Sequence, residues 1–176
     1  MVEQKRIEIS GKINPAFLLK IAKRNNVNGY IILQSNTAIL EGKGSDIDNT
    51  LNLYKKRYKE GYTAKETGYI GDIVDLIKAK DYKDIRIQAY ISIMGHLENK
   101  SYENLIKRFA EEYMIKGWVK RDNENGNINL KIEGQKDLVE KLIDWLKGGT
   151  AKINIFDIKI IYQKYTGDFK EFYISD

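Results

Sequence analysis

Few side chains in this sequence could do covalent or metal chemistry. There is no cysteine and a single histidine, His96. That excludes a thiol nucleophile, a disulfide, a thiolate zinc site and any site built on several histidines. No Ser-His-Asp or nucleophile-elbow pattern is present, and the carboxylates are too scattered to propose a glycosidase pair from spacing. What remains is the chemistry of fixed charge. In 115-IKGWVKRDNENG-126, Arg121 stands between an apolar start and a turn-forming Asn-Glu-Asn-Gly. The run 55-KKRYK-59 gathers Lys55, Lys56, Arg57 and Lys59, with Lys20, Lys23 and Arg24 upstream. The stretch 41-EGKGS-45 lacks the leading glycine of a nucleotide-phosphate loop and is expected to be a turn.

Thirty basic and twenty-five acidic residues give +5, a mild excess that favours anionic partners without requiring one. The 176 residues, 42% hydrophobic, suffice for one medium domain or two small ones. No apolar run of about 18 residues could span a bilayer. The opening MVEQKRIEIS carries charges where a signal peptide needs an apolar stretch. The expectation is a cytoplasmic protein with no membrane partner, no metal and no cofactor.

The elements that would position these charges come twice. The segment 81-DYKDIRI-87 parallels 168-DFKEFYI-174, and 41-EGKGSDIDNTLNLYKK-56 parallels 133-EGQKDLVEKLIDWLKG-148. Gly29-Tyr30-Ile31 parallels Gly117-Trp118-Val119, and Ile9-Ser10-Gly11 parallels Ile93-Met94-Gly95. Four correspondences in one order imply a tandem duplication, with units at 1–84 and 85–176.

In the second copy, 86-RIQAYISIM-94 alternates as a half-buried strand. A helix follows at 101–114, capped by Ser101, with Leu105, Phe109, Ala110 and Tyr113 inward. Strands 116–120 and 127–134 flank an Asn-Gly turn, a second helix runs from Asp137 to about Lys147, and strands at 153–164 and 169–175 close the unit. The first copy reads alike: strand 6–10, a helix opening at Pro15, a hairpin from Gly29 to Gly42, and a helix over about 46–58. One strand, 81–94, is expected to end the first copy and begin the second, leaving almost no linker. The order β-α-β-β-α-β gives an α+β fold, two tandem ferredoxin-like sandwiches with antiparallel sheets and both helices on one face.

The second copy resembles the acylphosphatase family over essentially its whole length, and the first looks like a diverged copy of it. In that family a glycine after the first strand opens a loop G-x-V-Q-G-V-x-F-R, and a hairpin carries G-W-V-x-N before a D-G turn. Here Gly95 and Gly117 have the matching spacing of 22, and Trp118, Val119 and the Asn125-Gly126 turn fall in register. The resemblance implies that loop amides and the loop's arginine hold a phosphate while the hairpin asparagine orients the attacking water. Transferred onto this sequence, the loop runs from Gly95 to Glu103, so Glu103 stands at the arginine position and Arg121 at the asparagine position. A carboxylate there repels a phosphate by several kcal/mol at about 4 Å. In the first copy the asparagine position falls on Leu33, and Phe17, Leu18 and Leu19 occupy the helix start.

The resulting expectation is a catalytically degenerate binding or scaffold module, in which Glu103 and Arg121 face each other as an ion pair that plugs the former site. One alternative is a hydrolase or binder of acyl- or carbamoyl-phosphate-type anions, held by Asn99, Lys100 and Arg121. Another is a nucleic-acid-binding protein using Lys20, Lys23, Arg24, Lys55, Lys56, Arg57 and Lys59 as a basic patch. A protein partner on the open sheet face is the third.

Overall fold

The computed structural model describes residues 2–96, 101–148 and 154–175 and divides into two units, Met1–Ile85 and Arg86–Asp176. In the first unit, Ile7 and Ile9 alternate with polar neighbours, so strand β1 (Gln4–Gly11) buries one face. Helix α1 (Pro15–Arg24) starts where Asn14 accepts the Phe17 amide at 3.0 Å and Pro15 takes the first helical position. It turns Leu18, Ile21 and Ala22 onto the sheet. The hairpin β2 (Asn28–Ile32) and β3 (Thr37–Lys43), helix α2 (Gly44–Arg57), and strands β4 (Tyr62–Thr67) and β5 (Leu76–Ala79) complete the unit. The strand order is β4-β1-β3-β2-β5, antiparallel except that β5 runs parallel to β2.

The second unit repeats this scheme. Strand β6 (Arg86–His96), helix α3 (Ser101–Glu112), β7 (Lys116–Arg121), β8 (Ile128–Gln135), helix α4 (Lys136–Gly148), β9 (Asn154–Gln163) and β10 (Phe172–Ser175) follow in turn. The order is β10-β7-β8-β6-β9, with β10 parallel to β7. Each sheet therefore has the ferredoxin-like order of four strands plus a fifth beside the second. Ile91, Val119, Leu130, Leu142 and Leu146 are among the side chains fully buried between sheet and helices, each worth about 1.5–3 kcal/mol of burial. Gly117 permits the close pairing of β7 with β8: its φ is +140°, and an added Cβ would strike the Lys131 carbonyl.

Because the fourth and fifth strands lie on opposite edges, the segment joining them must cross the sheet. A buried glutamate catches it in both units. Glu41 accepts the amides of Ile70, Gly71 and Ile73 at 3.0–3.2 Å. Glu133 accepts those of Gly167 and Phe169 at 3.1 and 3.0 Å, together with Gln88 Nε2 at 3.2 Å and Thr166 Oγ1 at 3.3 Å. In the first unit Arg6 adds an ion pair to buried Asp72 at 2.5 Å.

Four expectations change. The stretch 81–94 is not one strand: the first unit ends on β5, a 3-10 turn spans Tyr82–Asp84, and β6 begins at Arg86. Pairing makes residues 62–79 correspond to 158–175 at a constant offset of 96. That matches 69-YIGD-72 with 165-YTGD-168, rather than 81–87 with 168–174. Likewise, Arg6 opposite Glu41 corresponds to Gln88 opposite Glu133, so Gly11 aligns with Ile93 and not with Gly95. Finally, the buried face of α3 is Tyr102, Glu103, Ile106 and Ala110, while Leu105 is 38% exposed. The face is set by Tyr102 stacking on Trp145, with ring centroids 5.9 Å apart.

Candidate functional site

Glu103 lies in the first turn of α3, where the helix dipole favours a carboxylate, and is only 6% exposed. Arg121 ends β7, and the hairpin carries it to the same place. Its Nε donates to Glu103 Oε1 at 2.6 Å and its Nη2 to Oε2 at 2.8 Å, a two-pronged ion pair. Nη1 donates to the Gly126 carbonyl at 3.3 Å, a partner the sequence did not suggest.

The turn that supplies this carbonyl is tightly organised around Asp122. The Asp122 amide donates to the Asn127 carbonyl at 2.8 Å, and the Gly126 amide to the Asp122 carbonyl at 2.9 Å. Its carboxylate accepts the Glu124 amide at 2.9 Å and Asn125 Nδ2 at 2.8 Å. Gly126 takes a φ of +72°, which explains its place after Asn125. Hairpin and helix thus hold Arg121 from two sides, and at least three of its five N–H groups are committed.

Tyr102, beside Glu103, is 1% exposed, and among the described residues its hydroxyl has no hydrogen-bond partner. Burial pushes its phenol up to about 12, so it is no acid or base near neutral pH. Any anion entering here must compete with Glu103 for the guanidinium. Asn99 and Lys100, expected to help hold such an anion, lie outside the described residues. Among the described residues no group of three His, Asp or Glu side chains is placed to hold a metal ion, and no helix is long and apolar enough to cross a membrane.

The first unit closes the equivalent end with aromatic rings. The Asn14 amide donates to Tyr54 Oη at 2.7 Å, and Phe17, Tyr54, Tyr58 and Tyr62 pack with centroids 4.9–6.1 Å apart. Leu33 is 37% exposed in the hairpin turn.

Lys20, Lys23, Arg24, Lys55, Lys56, Arg57 and Lys59 are all exposed, but they are spread along the helix pair, with Lys20 midway along α1. The Arg57 guanidinium sits 5.0 Å from the Phe17 ring, so the end of α2 meets the start of α1. Asn25, at the other end of α1, donates to Thr50 on α2 at 2.9 Å. The helices are antiparallel neighbours, which leaves Lys23 and Arg24 at one end and Lys55–Lys59 at the other.

Residues 89–174 match the acylphosphatase family model. The chain is 28% identical over 88 residues to an acylphosphatase of Pyrobaculum calidifontis, covering 50% of this chain and 80% of that one. It is 25% identical over 91 residues to one from Geotalea uraniireducens, covering 52% and 99%. The crystal structure of acylphosphatase from Bacillus subtilis superposes with a TM-score of 0.48 at 19% identity, covering 51% of this chain and 99% of that one. The family model and the two relatives make residues 89–174 an acylphosphatase-like domain.

Proposed function

We propose that this chain is a cytoplasmic, catalytically degenerate tandem acylphosphatase-like protein, with domains 1–84 and 85–176, that acts as a binding or scaffold module. The reading rests on one observation: Glu103 and Arg121 satisfy each other in a two-pronged ion pair. At the positions carried over from the family pattern, a phosphate-holding cation is replaced by a carboxylate, and a water-orienting amide by a cation. A phosphoryl dianion would have to break the pair and then face a buried carboxylate. The duplication is supported by the shared strand order, the parallel fifth strand and the paired Tyr-x-Gly-Asp segments.

Benzoyl phosphate hydrolysis tests this reading. The wild-type protein is expected to leave the uncatalysed rate unchanged, and the double variant Glu103→Arg/Arg121→Asn to raise it. Brisk hydrolysis by the wild type would overturn degeneracy. A second reading, an acyl- or carbamoyl-phosphate-type anion bound or hydrolysed at Arg121, is favoured by the family match of residues 89–174. It requires inorganic phosphate to protect the wild type, but not Arg121→Met, against heat.

A further inference from the structure

The face of the second sheet turned away from α3 and α4 carries a row that crosses all five strands: Tyr173, Trp118, Lys131, Tyr90 and Ile161. At sheet spacing the row is about 19 Å long. Tyr173 is 42% and Ile161 44% exposed, and Trp118 and Tyr90 are half-buried, meeting edge to face at 6.3 Å. Lys131 Nζ lies 5.9 Å from the Phe169 ring, joining a cation to the aromatic group. The next row is polar: Ser175, Lys120, Asn129, Ser92 and Lys159. Among the described strand residues of this face, the exposed charges are Arg86, Lys116, Lys120 and Lys159 against Asp157.

We propose that this face binds single-stranded nucleic acid, with bases stacking on Trp118, Tyr90 and Tyr173 and the backbone running along Lys120, Lys131 and Lys159. Every base has a π-face, so such a platform tolerates sequence, and interleaved lysines supply the phosphate contacts. Lysine is depleted where proteins bury a surface against one another, so the mixture fits a nucleic acid better than a protein partner. The first unit does not share it. Its corresponding row is Ile77, Tyr30, Ile39, Glu8 and Lys65, with Tyr30 1% exposed and a carboxylate at the place of Tyr90.

Fluorescence anisotropy of labelled single strands of about 12 nucleotides, DNA and RNA, tests this on the full chain. Binding is expected to weaken steeply with salt and to quench Trp118, since the other tryptophan, Trp145, stacks between Phe109 and Tyr102 in the helix layer. Trp118→Ala, Tyr173→Ala and Lys120→Glu/Lys159→Glu should each weaken binding at least about fivefold. The helix variant Lys55→Glu/Lys56→Glu should not. Tyr173 and both lysines are exposed, so those variants keep the fold even if Trp118→Ala does not. Any of four results overturns the proposal: no binding at low salt, equal affinity for duplex, loss only in the helix variant, or a self-association that Tyr173→Ala disrupts without any oligonucleotide binding.

Discussion

Glu41 and Glu133 stand at the same point of their two sheets, each followed by a glycine and each accepting the amides of the glycine in a Tyr-x-Gly-Asp segment and of the residue just after that segment. Opposite Glu41 the neighbouring strand places Arg6; opposite Glu133 it places Gln88. The two carboxylates are 2% and 1% exposed, and amide donors replace the water they give up.

Removing either carboxylate leaves several buried or part-buried donors without their acceptor at once. Glu133→Ala is expected to cost about 2–4 kcal/mol in urea unfolding, and Glu133→Gln about half as much. Hydrogen exchange should speed up first at the Gly167 and Phe169 amides. Uniform exchange across the unit would show that Glu133 does not hold this segment in particular.

Breaking the Glu103–Arg121 pair from one side should cost more than removing both charges. Arg121→Met leaves a buried, unpaired carboxylate and is expected to lose about 3 kcal/mol. Adding Glu103→Gln should recover most of it. A double-mutant cycle by thermal unfolding checks the coupling; additive losses would mean that the pair is energetically idle.

Alkaline pH should weaken the second unit through Tyr102. Its phenol is pushed up to about 12 by burial, while an unfolded tyrosine titrates near pH 10. Below about pH 10 both states hold the proton. Between there and about 12 the unfolded chain releases it first, so stability falls as pH rises, by about 2–3 kcal/mol in total. Tyr102→Phe should remove that part of the fall. Near neutral pH it should be neutral or stabilising, because the hydroxyl has no partner among the described residues. Identical pH profiles for the two proteins would contradict this.

Gly117→Ala should prevent close pairing of β7 with β8. Both the φ of +140° and the collision with the Lys131 carbonyl oppose a Cβ. A loss of more than about 3 kcal/mol is expected, read as the urea midpoint; Gly126→Ala, whose added Cβ meets nothing within 4 Å, should cost less despite its φ of +72°.

Alternation and turn chemistry made the hairpins legible. Gly117-Trp118, the Asn125-Gly126 turn and the opposed Glu103 and Arg121 could all be read from spacing and family pattern. The closing strand of the second unit was expected at 169–175, where β10 lies, but the fifth strand of the first unit was harder. β5 has only four residues, and its partner β2 lies far back in the chain, so neither periodicity nor a nearby turn announces it. The clue was the repeated Tyr-x-Gly-Asp, which the 81–87 likeness hid. The face of α3 was misjudged because Leu105 is more apolar than Glu103, yet the carboxylate is buried by its arginine and the leucine is left outside. The stack of Tyr102 on Trp145 and the ion pair of Glu103 with Arg121 together set that face, and hydrophobicity alone sees neither.

The parallel fifth strands also bear on the order of assembly. Gly29 must find Leu76, 47 positions away, and Gly117 must find Phe172, 55 positions away. Loop closure over such spans is slow, while each β2–β3 or β7–β8 hairpin forms locally. β5 and β10 are therefore expected to dock last in refolding and to peel first from the native sheets. Each unit carries a latch that can open briefly without melting the four strands behind it.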